Sequence, residues 1–219
     1  MCGRYNLHDM PAIAELRQLI PGLEEVVPPS RRYNVSPGTD ISAVFLPDPE
    51  SDPQLDLLWW GFRPAWVGEG GPQPINAKAE GVATSKYWQG AFARHRCLVP
   101  ANGWYEWLPT ADGKQPHYIT REDGKLLWFA GLWTQREDDK LGCAIITEPA
   151  RGSARDVHDR MPLCLTSESL PLWLDPDLTD SETLRSAVKH IEADALTHWA
   201  VRKRVGSVKN DDAGLIERV

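Results

Sequence analysis

Features of exported and membrane proteins are missing from this chain. None of its apolar runs approaches the roughly 20 residues that a membrane-spanning helix needs. Its first residues also lack the basic and then apolar arrangement of a secretory signal. We therefore expect a cytoplasmic protein that makes no use of a membrane.

Cysteine is scarce and scattered. The 219 residues contain four cysteines, none in a CxxC pair: Cys2, Cys97, Cys143 and Cys164. This spacing indicates reduced thiols, with three of them buried, rather than a disulfide framework. No Cys/His cluster has ligand spacing, and His190 and His198 lack an accompanying glutamate pattern. The sequence therefore predicts neither a metal nor a cofactor.

Positive charge is in deficit. Lysine and arginine number 24 against 31 acidic residues, which gives a net charge of −7. This balance argues against a protein that coats DNA nonspecifically, but it leaves room for a local basic groove. Internal repeats, low-complexity blocks and long linkers are also absent from the sequence. We expect one domain over residues 1–219, with a substantial core.

Short apolar segments with turn signals between them predict more strands than helices, and so an α+β fold with largely antiparallel sheets. Residues 31–38 have the composition of an irregular loop, and the tail from 205 to 219 is expected to be mostly irregular. The predicted strands cover 41–46, 55–62, 96–100, 103–108, 117–121, 126–133 and 141–147. The predicted helices cover 83–94, 167–173, 181–191 and a first segment with Asp9 as its cap.

The most informative residue is Cys2, because removal of Met1 would leave it with a free α-amine beside a thiol. That amine titrates near pH ~7.7–8, far below a lysine amine at ~10.4. The thiol titrates near ~8.5, and a cationic neighbour such as Arg4 can lower its pKa. The pair can capture an aldehyde as an imine that closes to a thiazolidine, or the thiol can attack an acyl carbon.

Three further segments offer polar groups for such chemistry. Asn76 follows a loop and can bind a substrate, although a helix cap or turn explains it equally well. Glu106 lies among aromatic residues, which would raise its pKa, although an exposed strand glutamate is commoner. His158 precedes an aspartate and an arginine and can transfer protons near neutral pH, although a surface role is also open.

Taken in order, the motifs of this chain resemble those of the SRAP family, the SOS-response-associated peptidases that process abasic sites. The matching segments are Met-Cys-Gly-Arg-Tyr at 1–5, Arg-Tyr-Asn-Val-Ser-Pro-Gly at 32–38, Trp-Gly-Phe at 60–62, Ile-Asn-Ala-Lys-Ala-Glu at 75–80, Thr-Ser-Lys at 84–86, Asn-Gly-Trp-Tyr-Glu-Trp at 102–107, His-Asp-Arg-Met-Pro at 158–162 and Val-Gly-Ser-Val-Lys-Asn at 205–210. The resemblance implies a bifurcated sheet system with a barrel-like part, flanked by helices.

The resemblance also implies an activity. Cys2 would link covalently to the ring-opened aldehyde of an abasic site in single-stranded DNA, forming a thiazolidine that shields the lesion in the DNA damage response. Asn76, Glu106 and His158 would complete the active site. Weak cleavage of the DNA at the lesion, an AP-lyase reaction, would be a side activity. The protein would act as a monomer, associated with the bacterial nucleoid when bound to damaged DNA.

By the same resemblance, six residues would contact DNA: Arg4, Trp66, Lys78, Lys86, Trp107 and Arg160. The basic residues would hold phosphates, and the tryptophans would pack against the nucleotides that flank the lesion. The family usually has arginine where this chain has Lys78 and Lys86. Lysine keeps the charge but loses the bidentate fork, so we expect a looser grip on phosphate.

Three other readings of Cys2 remain open from the sequence. Class II glutamine amidotransferases also begin Met-Cys-Gly, and Asn102-Gly103 could serve as their oxyanion hole. An N-terminal nucleophile could instead act as a peptidase on its own leader, which here is one methionine. A purely binding protein is the third possibility, and it would leave the aminothiol without a use.

Overall fold

The computed structural model describes residues 2–137 and 140–219. Its strands are β1 (Tyr5–Leu7), β2 (Glu24–Glu25), β3 (Arg32–Val35), β4 (Asp40–Phe45), β5 (Gln54–Trp60), β6 (Asn76–Lys78), β7 (Arg96–Ala101), β8 (Gly103–Thr110), β9 (Gly113–Arg121), β10 (Leu127–Gln135), β11 (Leu141–Pro149), β12 (Arg160–Pro162) and β13 (Leu196–Ala200). Its α-helices are α1 (Ile13–Leu19), α2 (Gln89–Arg94), α3 (Leu170–Leu174) and α4 (Ser181–Ala187). None of the helices in these ranges is long and apolar enough to cross a membrane.

Five strands close into a barrel in the order β11-β10-β7-β4-β5. The neighbours along this path are antiparallel, and the parallel pairing of Trp59 with Gly142 and Trp60 with Cys143 joins β5 back to β11. Side chains from these strands fill a core that includes Phe45 and Phe129. The expected α+β class and barrel-like part are therefore confirmed.

A second sheet branches from the barrel at Asn102. Its strand order is β13-β9-β8-β1-β3, and the chain leaves barrel strand β7 and enters β8 with only Asn102 between them. The Asn102 side chain accepts from the backbone N–H groups of His8 and Asp9, at 2.8 and 2.9 Å. This branch point places β1, which begins three residues after Cys2, against β8, which carries Glu106.

Several local predictions were wrong at their boundaries. The helix predicted over 181–191 ends at Ala187, because Val188 is extended. Residues 32–35 form β3 rather than loop, because pairing with β1 satisfies their backbone groups. The first helix begins at Ile13, because Asp9 donates its backbone N–H to Asn102 and does not cap it. The helix predicted over 83–94 is confined to Gln89–Arg94. The Ser85 hydroxyl accepts from a nearby backbone N–H in the preceding turns, which favours turn over helix.

The C-terminal tail is fastened to β3 by the side chain of Asn34. This amide is 2% exposed, and its nitrogen donates to the carbonyls of Val205, Ser207 and Asn210, at 3.2, 3.0 and 2.7 Å. Its oxygen accepts from the Arg4 guanidinium at 2.9 Å. The tail therefore has a fixed position although it contains little regular structure.

Replacing Asn34 by alanine should lower the free energy of unfolding by about 2–3 kcal/mol, because buried carbonyls lose their donor. Protease cleavage within 203–209 should also become faster. Chemical denaturation and limited proteolysis measure the two effects, with the exposed Gln89→Ala as the control. A stability change within about 0.5 kcal/mol would show that the amide does not hold the tail.

Candidate active site

Cys2 lies in the core, three residues before β1 begins, and is fully buried. The Nδ2 atom of Asn76 donates to the Cys2 carbonyl at 2.9 Å. Asn76 is the first residue of β6, whose parallel pairing with β11 fixes its backbone. Within the described part of the chain, its buried Oδ1 atom has no hydrogen-bond partner. The amide thus holds the N-terminal backbone and keeps an acceptor for a nearby N–H or O–H donor.

The Cys2 thiol is in an environment that opposes ionisation. Burial raises its pKa well above the usual value, and the negative charge of Glu106 raises it further. The Arg4 backbone N–H lowers this pKa, but by less than burial raises it, so the expected net lowering of the pKa beside a cationic Arg4 is wrong. Arg4 is partly buried, and its guanidinium donates instead to Asn34 and to the Val205 carbonyl, each at 2.9 Å. Near pH 7 the thiol is neutral.

Glu106 supplies a carboxylate inside this apolar setting. It lies on β8 and is only 3% exposed, so the alternative of an exposed strand glutamate is ruled out. Trp104, two residues earlier on the same face of the strand, is fully buried. Burial raises the pKa of Glu106 to about 7, and the charge of Asp159 acts in the same direction. This carboxyl group can therefore both take and give a proton at neutral pH.

His158 reaches the same place from the other side of the site. It follows a 3-10 turn at Gly152–Asp156 and precedes β12. Its Nε2 atom lies 3.9 Å from the Glu106 Oε2 atom. Burial lowers its pKa below the usual value, so the ring is mostly neutral at pH 7. The structure thus brings together Cys2, Asn76, Glu106 and His158, which are far apart in sequence.

Two open grooves lie beside the residues that contact the buried Cys2. The first is lined by Asn76 and a set of neighbours: Pro72, Pro74, Lys78, Gly81, Ser85, Tyr87 and Trp88. The second is lined by Glu106, His158 and a further set: Trp107, Pro109, Lys114, Val157, Asp159 and Gly206. Asn76 binds the Cys2 backbone and the charge of Glu106 acts on its thiol, so each groove contains a residue that adjoins the cysteine. The two grooves together are called the path through the site.

The aromatic and basic residues predicted to bind DNA differ in their surroundings. Trp66 is 70% exposed and contacts Tyr87 edge to face, with ring centroids 5.7 Å apart. Lys78 and Lys86 are exposed on the Asn76 side. Trp107 is half-buried and lines the groove at Glu106. These four side chains therefore border the path through the site.

The other two predicted DNA-binding residues already have partners within the protein. Arg4 binds the tail, as described above. Arg160 forms an ion pair with Glu80 and donates to the Thr147 carbonyl at 2.6 Å. The hydrogen bond from Arg160 lowers the pKa of Glu80 to about 2. Arg160 therefore ties β12 to the segment that carries Asn76.

Several residues of the site were not singled out from the sequence. Tyr87 and Trp88 form one wall, and their position directly after Lys86 was an available signal. Lys114 reaches the second groove from the β8–β9 hairpin, whose register the sequence pattern does not reveal. Among residues 2–137 and 140–219, no three histidine, cysteine or acidic side chains are placed to hold a metal ion.

Asn102 does not contribute to this site. Its side-chain oxygen accepts from His8 and Asp9, and its nitrogen donates to the Asp9 carbonyl at 2.9 Å. The amide is therefore fully engaged at the branch point and faces a different surface hollow. Asn102 is therefore not placed to form the oxyanion hole that the glutamine amidotransferase hypothesis requires.

The chain matches one protein family along nearly its whole length. The family model described as SOS response associated peptidase (SRAP) matches residues 1–208. The chain is 33% identical to the abasic site processing protein YedK of Escherichia coli K12 over 227 residues, covering all of both chains. It is 34% identical to the abasic site processing protein YoqW of Bacillus subtilis 168, covering 99% of each.

Solved structures share the fold. A protein from Bacteroides thetaiotaomicron superimposes with a TM-score of 0.80 at 20% identity, over the whole of both chains. A phage-related protein from Bordetella bronchiseptica gives a TM-score of 0.73 at 31% identity, covering 92% of this chain and 95% of its own. With the family model matching nearly the whole length, the chain belongs to the SOS response associated peptidase (SRAP) family.

Proposed function

We propose that this protein senses abasic sites in single-stranded DNA and crosslinks to them through Cys2 once Met1 has been removed. The main support is the environment of Cys2. Asn76 donates a hydrogen bond to its carbonyl, and its thiol lies close enough to Glu106 for that charge to raise the thiol pKa. Relatives that match along the full length are named abasic site processing proteins, which supports the same lesion as substrate.

The electrostatics of the site favour attack by the amine before the thiol. Burial keeps the thiol of Cys2 neutral, whereas an α-amine titrating near pH ~7.7–8 is partly unprotonated at pH 7. The amine adds to the aldehyde, and loss of water gives an imine. The thiol then adds across the C=N bond, with sulfur going to carbon and its proton, relayed by Glu106, going to nitrogen.

The closed sugar must open before this reaction begins. Opening breaks the bond between C1′ and the ring oxygen, moves a proton onto that oxygen and takes one from the C1′ hydroxyl. His158 and Glu106 are the titrating pair at the centre of the path, 3.9 Å apart. We assign proton donation at the ring oxygen to His158, and proton transfer at the amine and carbinolamine to Glu106.

The two grooves provide a course for the strand on either side of the lesion. Lys78 lines the first groove, and exposed Lys86 lies between its lining residues Ser85 and Tyr87, which favours phosphate there in a protein of net charge −7. Lys114 lines the second groove beside the acidic Glu106 and Asp159. Exposed Trp66 and half-buried Trp107 present aromatic faces to flanking bases.

A single gel experiment tests the proposal. The protein is incubated with a single-stranded oligonucleotide that carries one abasic site and is then separated under denaturing conditions. We expect a slower band that survives heating and is absent with the undamaged oligonucleotide. Equal and reversible binding to both oligonucleotides, without a heat-stable band, would favour a binding protein instead.

Replacing Trp66 by alanine should weaken binding to single-stranded DNA by about 1–3 kcal/mol, because one base loses its stacking partner. The unfolding free energy should change little, since this side chain is 70% exposed. Fluorescence anisotropy with a labelled strand measures the affinity, with Leu172→Ala as the control at another exposed apolar position. Unchanged affinity would remove Trp66 from the interface.

A further inference from the structure

The imidazole of His158 has two competing neighbours at one nitrogen atom. The backbone N–H of Arg160 donates to Nδ1 at 3.0 Å, and the Oδ1 atom of Asp159 lies 2.9 Å from the same Nδ1. The N–H donor requires a lone pair on Nδ1, whereas the carboxylate requires a proton there. The two neighbours therefore favour opposite protonation states of the ring.

This competition determines what the other nitrogen can do. With Nδ1 held as an acceptor by Arg160, the neutral ring carries its proton on Nε2, the atom that faces Glu106. Donation from that form would leave an imidazolate, which is far too basic to form near neutral pH. Donation from the imidazolium leaves an ordinary neutral ring with its proton on Nδ1.

We propose that Asp159 is a positioning residue that makes the imidazolium form of His158 available for opening the abasic sugar. The inference rests on the proposed function, because it assigns the source of the proton that the ring oxygen receives. Nε2 gives its proton to the ring oxygen as the C1′–O bond breaks and its electron pair moves to that oxygen.

Glu106 returns to His158 the proton that the imidazole gives to the sugar. Its carboxylate takes the proton of the C1′ hydroxyl as the aldehyde forms, and it returns a proton to Nε2 across the 3.9 Å between the two groups. Throughout this cycle the second proton of His158 stays on Nδ1, hydrogen-bonded to the Asp159 carboxylate 2.9 Å away. Asp159 is 86% exposed at the wall of the second groove, and its carboxylate oxygen lies against His158 Nδ1, so it acts on the reaction through the imidazole.

Other charged groups face His158 from the neighbouring elements. Glu106 approaches from β8. Burial lowers the pKa of His158 most, and the charge of Lys114 on β9 lowers it further. The charge of Asp159 raises that pKa and so opposes them. Asp156, on the preceding 3-10 turn, instead lies 3.9 Å from His198.

The test is Asp159→Asn, which keeps the size of the side chain and removes its charge. The part of the rate–pH profile that needs protonated His158 should move to lower pH, and the single-turnover crosslinking rate at pH 7 should fall roughly tenfold. DNA affinity should not fall, because the change removes a negative charge from the wall of the second groove, and Asp159→Glu should restore the profile. Asp156→Asn removes an equivalent charge nearby and should leave the profile in place.

Nitrogen-15 NMR of the His158 ring, recorded without DNA, gives an independent reading. The titration midpoint should be lower in Asp159→Asn than in the wild type, and the neutral ring should carry its proton on Nε2. An unchanged midpoint and rate–pH profile would overturn the inference while wild-type crosslinking still stood. Absence of any wild-type adduct would instead overturn the proposed function, and the titration would still decide the role of Asp159.

Discussion

Replacing Cys2 by alanine should abolish the heat-stable adduct with abasic DNA while leaving an imine that can be trapped. The alanine variant keeps its α-amine after removal of Met1, so it still condenses with the aldehyde. Without sulfur the imine has no ring to close into, and water reverses it. We expect the stable adduct to fall by at least about a hundredfold, which is the usual scale for loss of a catalytic group.

Borohydride reduction separates the two roles of Cys2. The reductant should capture the alanine variant on the oligonucleotide, because it reduces the imine to a stable amine. Cys97→Ala serves as the control, since Cys97 is also fully buried but lies in the barrel. A heat-stable adduct formed by Cys2→Ala without reductant would contradict the thiazolidine.

Replacing Glu106 by glutamine should slow crosslinking by about 10²–10⁴-fold, because glutamine cannot exchange a proton. The same change should stabilise the folded protein at alkaline pH. Burial raises the pKa of Glu106 to about 7, so its stability contribution is complete below pH ~4.5 and is lost as the pH rises through 7. The variant avoids that loss, which is on the order of 2–3 kcal/mol.

Chemical denaturation at several pH values measures the stability effect, and single-turnover crosslinking measures the rate. The two proteins should have similar stability near pH 4 and diverge towards pH 8, with the glutamine variant the more stable. Glu122→Gln, at an exposed position, should show neither effect. A wild-type crosslinking rate in Glu106→Gln would remove the proton-transfer role. A stability difference independent of pH would contradict the buried titration.

The sequence was most informative where chemistry depends on residue type and chain position. The position of Cys2 directly after Met1 marked it as a candidate nucleophile. The pattern of short apolar segments indicated the α+β class, and the ordered motifs indicated the family and its barrel. Periodicity located the barrel strands to within a few residues, because each is long enough to show its apolar pattern. The strand at Arg32–Val35 was missed because its pairing with β1, rather than its own composition, determines its conformation.

The pKa of the thiol and the partners of the arginines depend on packing, and the sequence did not reveal them. The thiol of Cys2 was expected to become more acidic beside Arg4, but burial makes it less acidic and Arg4 points to the tail. The engagement of Arg160 with Glu80 was equally hidden, since 80 residues separate the pair. Distances between residues remote in sequence are set by strand order, which residue patterns do not encode.

The central claim is that Cys2, freed of Met1, condenses with the aldehyde of an abasic site. The most direct measurement is the intact mass of the adduct formed with a single-stranded abasic oligonucleotide, without a reductant. We predict the mass of the protein lacking Met1 plus that of the oligonucleotide, less one water, with the modification on the N-terminal peptide. An adduct that retained Met1, or a modification on any other peptide, would contradict this mechanism.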